Sequence, residues 1–442
     1  MRKASLFLTS LFITSSLLAS GPGSQALDAF VADHMAELKA FYLDRHQSPE
    51  LSLAEKETSK TLAAELRKLG FEVTENMGGY GVVGVLKNGK GPTVLYRTDM
   101  DALPMVEKTG LDYASQVVVA DGTGGHVSTM HSCGHDMHMT VWLGTAKAMV
   151  DMKSQWKGTL VMIGQPAEEI GAGAKLMLEA GLYEKFPVPD YGVGLHCSPT
   201  IPTGKVGFGK GYTMANAEAI SIKVFGQGAH GASPHMSIDP VVMASMLVME
   251  LQTIVSRNLN PLDNAVVSVG VIKGGTKYNI IPDEVTLELT VRTFTEEVRL
   301  KIHQRIKEIA RGVAISAGLP EDKYPEVIIP ETFTPANFNN EALVDRLLAS
   351  AVKAIGIGNV VEAEPQMVAE DFSRYGKTTH KVPTTLFWLG TVPPERTAKV
   401  AKGEMSLPGL HSPFYYPAIE TSIVTGVKVT STGLLDLFKG GK

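Results

Sequence analysis

The chain has 442 residues, of which 44% are hydrophobic and 20% are charged, and its formal net charge is −5. This balance excludes an intrinsically disordered chain, and the mild acidity without a basic cluster argues against a nucleic-acid partner. Two cysteines are too few for a disulfide-built scaffold, and the length allows two or three domains.

The first 26 residues have the pattern of a secretory signal peptide. Arg2 and Lys3 precede an apolar run over residues 4–18, and small and polar residues follow up to Ala26. The alternative is a membrane anchor, but the run is shorter than the roughly 20 residues that a spanning helix needs. We therefore predict an exported protein, periplasmic or secreted, that is cleaved before Leu27 and has no membrane partner thereafter.

Residues 27–216 and 331–442 are predicted to form one discontinuous α/β domain. Strand-like runs alternate with helical periodicity, which is typical of a largely parallel sheet covered by helices. The predicted strands of this domain lie at residues 71–74, 81–86, 93–96, 159–163, 191–195 and 384–389.

Residues 217–330 follow a different pattern and are predicted to form a smaller inserted lid domain. Their elements come in the order β-α-β-β-α-β, which is the ferredoxin-like arrangement. Asp239, which precedes Pro240, and Thr295 are the predicted N-caps of the two helices.

Acidic residues or a histidine end three of the predicted strands of the α/β domain. Asp99 follows the strand at 93–96, Glu168 and Glu169 follow the strand at 159–163, and His196 ends the strand at 191–195. Ligands of open α/β sheets bind beyond the carboxyl ends of the strands. We therefore expect these side chains to converge on one site.

The segment 131–138, with the sequence HSCGHDMH, indicates a metal site. In an extended segment Cys133 and His135 would lie on one face, and a thiolate with an imidazole suits zinc and tolerates manganese, cobalt or nickel. A structural thiol is one alternative. A disulfide between Cys133 and Cys197 is another, because the protein is predicted to enter an oxidising compartment.

Glu168 and Glu169 are the second chemical signal. In extended backbone their side chains would point apart, so that one carboxylate could bind a metal while the other acted as general base toward water. The alternative is a pair of solvated acids in the first turn of a helix, where they suit the helix dipole.

Several collinear motifs resemble the M20 metallopeptidase family. The resemblance is to its amidohydrolase subfamily D, which includes hippurate hydrolase, N-acyl-amino-acid amidohydrolases and plant auxin-conjugate hydrolases. The matching motifs lie at residues 96–105, 131–138, 165–171, 194–196, 228–235, 279–283, 369–372 and 410–414.

The resemblance implies a set of site residues. Glu168 would be the general base, Asp99 would orient a metal ligand, and His230 would reach the site of a partner subunit to stabilise the oxyanion. Asn279 and Arg292 would hold the substrate carboxylate. The implied metal ligands are Cys133, His135, Glu169, His196 and His411.

The resemblance also implies an exopeptidase-like catalytic domain whose lid forms a homodimer or a higher homo-oligomer. The implied reaction is hydrolysis of the amide bond of N-acyl amino acids with the help of one or two divalent ions. Zinc and manganese are the preferred ions, and cobalt and nickel are the alternatives. Arg97 stands where most members of the family have a ligand histidine, so the number of ions stays open.

Three rival functions remain at this point. They are a dipeptidase or carboxypeptidase of the same fold, an exported binding protein without turnover, and a thiol redox protein. The last is disfavoured because the sequence has no Cys-x-x-Cys motif. The acyl group is also open among acetyl, fatty acyl, benzoyl and larger aroyl groups, the aroyl-phenylalanine amides included.

Overall fold

The computed structural model describes residues 22–120 and 124–440. Most of the predicted signal peptide, residues 1–21, lies outside the described residues. The predicted cleavage position, before Leu27, falls within the first turns of helix α1 (Pro22–His46). Within the described residues, no helix combines the length and the apolarity needed to cross a bilayer.

The described chain alternates helices and strands, as the sequence pattern predicts. The remaining helices are α2 (Lys56–Lys68), α3 (His135–Asp151), α4 (Gly173–Glu179), α5 (Leu182–Lys185), α6 (Pro240–Thr253), α7 (Glu296–Ser316), α8 (Glu341–Ile355), α9 (Pro394–Ala401) and α10 (Ile419–Phe438). The strands are β1 (Glu72–Met77), β2 (Gly81–Asn88), β3 (Thr93–Asp99), β4 (Leu103–Pro104), β5 (Val118–Ala120), β6 (His126–Met130), β7 (Gly158–Gln165), β8 (Tyr191–Pro202), β9 (Val206–Phe208), β10 (Gly211–Met214), β11 (Glu218–Phe225), β12 (Ala229–His230), β13 (Ala265–Gly274), β14 (Ile280–Ile281), β15 (Glu284–Thr293), β16 (Glu326–Ile328), β17 (Asn337–Asn339), β18 (Val360–Glu362) and β19 (Thr384–Val392).

An eight-stranded sheet forms the centre of the larger domain, in the order β1-β2-β7-β3-β8-β19-β9-β18. Its middle strands β7, β3, β8 and β19 run parallel, so their carboxyl ends meet at one edge. Strand β19 comes from the C-terminal part of the chain, and its pairing with β8 joins the two halves of the discontinuous domain.

Helices cover both faces of this sheet and bury its apolar side chains. One core contains Trp142 of α3 and Val427 of α10, which pack with α1, α2 and α8 against the sheet. The core on the opposite face contains Met177 of α4 and Phe372 of the short 3-10 helix Asp371–Gly376. The three-layer α/β/α architecture confirms the predicted fold class.

The inserted lid has its own four-stranded antiparallel sheet, in the order β13-β15-β11-β16, and its own core under α6 and α7. This is the strand order of a ferredoxin-like fold. The predicted caps form as expected, since Asp239 accepts a hydrogen bond from the backbone N–H of Val241 and Thr295 from that of Val298. The lid sheet lies inside the predicted interval 217–330.

The strands of the central sheet extend beyond their predicted ends, and two of these extensions include candidate site residues. Strand β3 continues through Asp99, and β8 continues through Pro202, so His196 lies within a strand and not at its end. The polar side chains of these residues did not mark the strand ends, because both strands are buried between neighbours that supply their backbone hydrogen bonds.

Candidate active site

The carboxyl edge of the central sheet gathers the polar residues that the sequence singles out. Asp99 is the last residue of β3, Glu168 and Glu169 lie in the turn after β7, and His196 is on β8. All four side chains are buried or nearly so. The side chains from these three parallel strands therefore converge on one site, as the sequence predicted, although His196 lies within its strand and not at its end.

Cys133 and His135 are joined by a tight turn, so the expectation of an extended segment is wrong. Gly134 adopts φ +83°, and a Cβ there would lie 3.1 Å from the Cys197 side chain, so only glycine fits this turn. His135 is the first residue of α3. The turn, and not the alternation of an extended strand, brings the thiol and the imidazole together.

Hydrogen bonds set the tautomer of two histidines. The Nδ1–H of His135 donates to the carbonyl oxygen of Asp101 at 2.8 Å, and that of His196 donates to the carbonyl of Cys197 at 2.9 Å. A carbonyl only accepts, so Nε2 of each ring keeps a free lone pair in the neutral form. Nε2 of His196 lies 3.5 Å from Sγ of Cys133, so these two potential metal-ligand atoms are close to each other.

Glu168 and Glu169 lie in a turn and not in the extended backbone that was predicted. Ala167, directly before them, adopts φ +51°, and two buried carboxylates hold the turn. Glu55 accepts from the N–H of Ala167 at 2.7 Å, and Asp101 accepts from the N–H of Glu169 at 2.9 Å. As a result both glutamates approach His135, each with an oxygen 3.8 Å from its Nε2.

His411 enters the site from the loop before α10. Its backbone has φ +59°, its N–H donates to the carbonyl of Ser132 at 3.0 Å, and its Nε2 lies 3.2 Å from an oxygen of Glu169. The side chain of His411 is 54% exposed, whereas that of Glu169 is 4% exposed. His411 therefore forms the solvent side of the cluster.

Overlapping groups of side chains in this cluster have the geometry to hold metal ions, and two of these groups consist only of predicted ligands. Cys133, His135 and His196 form one group, and Cys133, Glu169 and His411 form the other; within each group the ligand atoms lie within 4.8 Å of one another. Cys133 belongs to both groups, and its thiolate would be a ligand in either of them. Nε2 of His135 and Oε1 of Glu169 are buried without a hydrogen-bond partner, as expected of atoms that bind a metal ion.

The electrostatics of the cluster favour a bound cation. Burial raises the pKa of the Cys133 thiol well above its usual value, and Glu169 and Glu168 raise it further. Burial lowers the pKa of His135, but Asp99, Asp101 and Glu169 outweigh it and bring the pKa to about 10. Burial lowers the pKa of His196 to about 4 and keeps that ring neutral. A divalent ion would balance this excess of carboxylates and stabilise the thiolate.

Arg97 lies behind this cluster as a buried counter-ion. Its guanidinium contacts Asp99 at 2.6 Å, Glu370 at 2.8 Å and Asp371 at 3.3 Å. A guanidinium has no lone pair for a metal, so Arg97 pairs with these carboxylates and leaves metal binding to the thiol, imidazole and carboxylate groups.

The surroundings of Glu168 shift its pKa upward. Burial raises its pKa well above the usual value, and the charges of Glu370, Glu169 and Asp371 raise it further, while Arg97 lowers it. Such a carboxylate accepts a proton more readily than a solvated one.

The sequence did not single out His138, Glu55, Glu370 or Asp371 as site residues. His138 donates from Nδ1 to Asp99 at 2.6 Å and accepts the N–H of Cys197 at Nε2, so both nitrogens are occupied. Asp99, which was expected to orient a metal ligand, thus bonds His138, while the carbonyl of Asp101 orients His135. His138, Glu370 and Asp371 lie within the motifs at 131–138 and 369–372, whereas Glu55 lies outside every motif of the resemblance.

The disulfide between Cys133 and Cys197, which the sequence left open as an alternative, is absent, since both cysteines are free and buried. Sγ of Cys197 lies 3.8 Å from the carbonyl of Gly134, on the far side of the turn. Cys133 is therefore available to the metal cluster.

A cavity of about 850 Å³ opens from the cluster toward the lid. Arg292 and Thr290 of β15 line it on the lid side, and Trp388 and Phe333 add aromatic walls. His230 and Asn279, both in the described part of the chain, do not line this cavity. They are adjacent to each other on the β12–β14 ladder, where the N–H of Gly231 donates to the carbonyl of Asn279 at 2.8 Å.

Comparisons with known proteins agree with this geometry. Among curated relatives, the chain is 39% identical to "Thermostable carboxypeptidase 1" of Saccharolobus solfataricus, with 78% of this chain and 84% of the relative aligned. It is 37% identical to "N-acetyl-L-cysteine deacetylase" of Bacillus subtilis, with 78% of each chain aligned. It is 38% identical to "Hippurate hydrolase" of Campylobacter jejuni, with 77% and 85% aligned.

Solved structures share the fold over nearly the whole chain. A putative aminohydrolase from methicillin-resistant Staphylococcus aureus superposes with a TM-score of 0.81 at 31% identity, covering 94% of this chain and 100% of that one. A dinuclear metal-binding peptidase of the M20 family from Bacillus subtilis superposes with a TM-score of 0.73 at 29% identity, covering 93% and 99%. The model of peptidase family M20/M25/M40 matches residues 95–408, and the chain belongs to that family.

Proposed function

We propose that the protein is a metal-dependent amidohydrolase that splits N-acyl amino acids into a carboxylic acid and a free amino acid. The observation that carries the proposal is the position of Glu168 beside two overlapping groups of metal-binding side chains, at the end of a cavity that Arg292 also lines. Relatives at 36–39% identity include deacetylases of N-acetyl amino acids and a hippurate hydrolase.

We propose that Cys133, His135, Glu169, His196 and His411 would hold one or two divalent ions. The mixture of thiolate, imidazole and carboxylate ligands favours zinc, with manganese next and cobalt or nickel tolerated. When bound, the ions would supply the Lewis acidity that polarises the scissile carbonyl and acidifies water.

Glu168 is the proposed proton carrier of the reaction. As a base it takes the proton of the attacking water, and as an acid it returns a proton to the nitrogen of the leaving amino acid. Burial and the neighbouring carboxylates raise the pKa of Glu168, which favours proton uptake by this carboxylate.

Arg292 is the proposed anchor for the α-carboxylate of the substrate. It lines the cavity, and no carboxylate lies within 4.0 Å of its guanidinium among the described residues. A guanidinium can bind a carboxylate through two parallel hydrogen bonds, which fixes the orientation of the scissile amide. Anchoring of this kind favours substrates that end in a free amino acid.

His230 and Asn279 are proposed to act in the cavity of a partner subunit. Both lie outside the cavity of their own chain, on the exposed side of the lid. There His230 would donate a hydrogen bond to the developing oxyanion and Asn279 would assist Arg292. One oxyanion donor is typically worth ~3 kcal/mol of transition-state stabilisation.

The lid supplies the proposed dimer surface. Strand β13 is at the edge of the lid sheet and leaves Ile272 60% exposed, and α6 beside it leaves Met249 72% exposed. An open edge with apolar neighbours is suited to pairing with a second copy, which would continue the sheet across the dimer. Export to the periplasm or medium is a separate proposal that rests on the N-terminal sequence alone.

The proposed function is tested by a panel of amides. N-acetyl, N-benzoyl and N-lauroyl amino acids are compared with dipeptides and with amino-acid amides that lack the free carboxylate. We expect N-acyl amino acids to be hydrolysed with a kcat/KM at least about tenfold above the amides, since one lost charge-assisted contact costs about that factor, and faster than the dipeptides. Faster cleavage of dipeptides would favour a dipeptidase or carboxypeptidase, and no cleavage of either class would favour a binding protein.

A further inference from the structure

The cavity contains a second guanidinium that the proposed reaction leaves without a role. Arg374 belongs to the 3-10 helix Asp371–Gly376 and lines the same cavity as Arg292. Arg292 comes from lid strand β15, so each domain contributes one of the two cations.

Arg374 is incompletely satisfied by its own protein. Its terminal nitrogen donates to the backbone carbonyl of Phe333, while its Nε is buried without a hydrogen-bond partner. No carboxylate lies within 4.0 Å of the guanidinium among residues 22–120 and 124–440. The side chain is half-buried, so water screens its charge only in part.

The acids nearest to Arg374 are engaged elsewhere. Asp371 accepts hydrogen bonds from Gln165 at 2.6 Å and from the N–H of Ala174 at 2.9 Å, and it also contacts Arg97. Glu179 is the other acid whose charge Arg374 feels, and its carboxylate lies 3.7 Å from Lys175. Arg374 thus faces the cavity with positive charge that these acids do not neutralise by contact.

A guanidinium stays charged under all ordinary conditions, so an unpaired and partly buried one gains from any anion that reaches it. At the metal end of the cavity the acids Glu168 and Glu169 would be balanced by divalent ions. Three other charged residues line the cavity: Glu218 is bound to Arg299 and His303, and Lys175 and Glu179 are paired with each other at 3.7 Å. The remaining unpaired charge on the walls then comes chiefly from Arg292 and Arg374.

We propose that Arg374 binds a second anionic group of the substrate, so that the preferred substrates are N-acyl amino acids carrying a carboxylate in addition to the α-carboxylate. This proposal rests on the proposed function. The cavity of about 850 Å³ is large enough for both parts of such a molecule. The second carboxylate can belong to the amino-acid side chain or to the acyl group, and the experiment separates these two sources.

The test uses two matched pairs of substrates that differ by one charge. N-acetylglutamate is compared with N-acetylglutamine for a side-chain carboxylate, and N-succinylalanine with N-butyrylalanine for an acyl carboxylate. The measured quantity is the ratio of kcat/KM within each pair, for the metal-loaded wild type and for Arg374→Gln. Arg374→Lys keeps the charge, and Arg311→Gln removes an arginine from outside the cavity lining as the matched control.

We expect the wild type to prefer the charged member of one pair by at least about tenfold, which is the effect of one charge-assisted hydrogen bond. Arg374→Gln should bring that ratio to about one, Arg374→Lys should restore part of it, and Arg311→Gln should leave it unchanged. The pair that responds identifies the side of the substrate that carries the second anion.

A purely structural Arg374, which only fastens the chain at Phe333, would lower kcat/KM for both members of each pair alike and leave the ratios unchanged. That result, or a wild type that shows no preference in either pair, overturns the proposal while the proposed function stands. Failure to hydrolyse any of the four compounds would instead contradict the proposed function itself.

Discussion

The backbone N–H of Ala167 donates to the buried carboxylate of Glu55 at 2.7 Å, directly before the turn that carries Glu168 and Glu169. Glu55 is fully buried, and its second oxygen has no hydrogen-bond partner. Ala167 adopts φ +51°, a conformation that costs an alanine roughly 1 kcal/mol or more. Glu55 therefore stabilises a strained turn on which the position of the proposed base depends.

Replacing Glu55 is expected to lower turnover more than substrate binding. In Glu55→Ala the N–H of Ala167 loses its acceptor, the turn relaxes, and we expect kcat to fall by about tenfold to a hundredfold with KM within about threefold of wild type. Glu55→Gln keeps an acceptor oxygen and should recover most of kcat. Steady-state kinetics on metal-loaded enzymes measure this, and equal kcat values in the alanine variant and wild type would contradict the positioning role.

Arg97 is expected to be essential for stability and not for metal binding. Arg97→Met leaves Asp99, Glu370 and Asp371 buried without their counter-ion, and breaking a buried ion pair in this way costs about 3–5 kcal/mol. Arg97→Lys keeps the charge but loses the forked geometry, so an intermediate loss is expected. Urea unfolding measures both, and a methionine variant as stable as wild type would show that the network is not stabilising.

The stability of the protein should depend on the protonation of His46. Burial lowers its pKa, but hydrogen bonds to Asp136 at 2.7 Å and to Glu107 at 3.3 Å outweigh burial and raise it from 6.5 to about 9. A pKa that is higher in the folded state stabilises the fold fully below pH 6.5 and loses this effect as the pH rises toward 9.

The measurement is the free energy of unfolding of wild type minus that of His46→Gln, taken between pH 6 and pH 10. We expect the difference to be largest at pH 6 and to shrink by about 3 kcal/mol toward pH 9.5. A difference that is constant or that grows with pH would mean that His46 is neutral in the folded protein.

The proposed contribution of His230 in a partner subunit predicts complementation between two inactive variants. In a mixture of Glu168→Ala and His230→Ala, a mixed dimer has one site that contains both Glu168 and His230. Random reassortment of equal amounts should restore about a quarter of wild-type activity, because half of the dimers are mixed and each has one intact site. Each variant alone, carried through the same dissociation and reassociation, is the control; no recovery in the mixture would place His230 outside the partner's site.

The sequence was a good guide to features that depend on local pattern. The alternation of apolar residues predicted the three-layer fold, and the side-chain oxygens of Asp239 and Thr295 predicted two helix starts, because capping involves only neighbouring residues. The family motifs also indicated the residues that form the two candidate metal-binding groups, including His411.

Features that depend on distant contacts were missed or wrong. The segment at Gly134 was predicted to be extended, but it forms a turn. This turn packs against Cys197, which is 63 residues away, so neighbouring sequence did not indicate it. Glu55 could not be recognised from α2, because its partner Ala167 is 112 residues further along the chain. Arg97 likewise donates a hydrogen bond to Glu370, which is 273 residues away in the sequence. Such pairs cannot be predicted from the neighbouring sequence.

The central claim is that hydrolysis needs both the metal cluster and Glu168. Its most direct test measures metal content and N-acyl amino acid hydrolysis in the same preparations of wild type and Glu168→Gln, before chelation, after chelation and after addition of zinc or manganese. Wild type should lose hydrolysis with its metal and regain it on addition, while Glu168→Gln should hold wild-type metal content with kcat lower by at least about a hundredfold. Hydrolysis by metal-free wild type, or normal turnover by Glu168→Gln, would contradict the account.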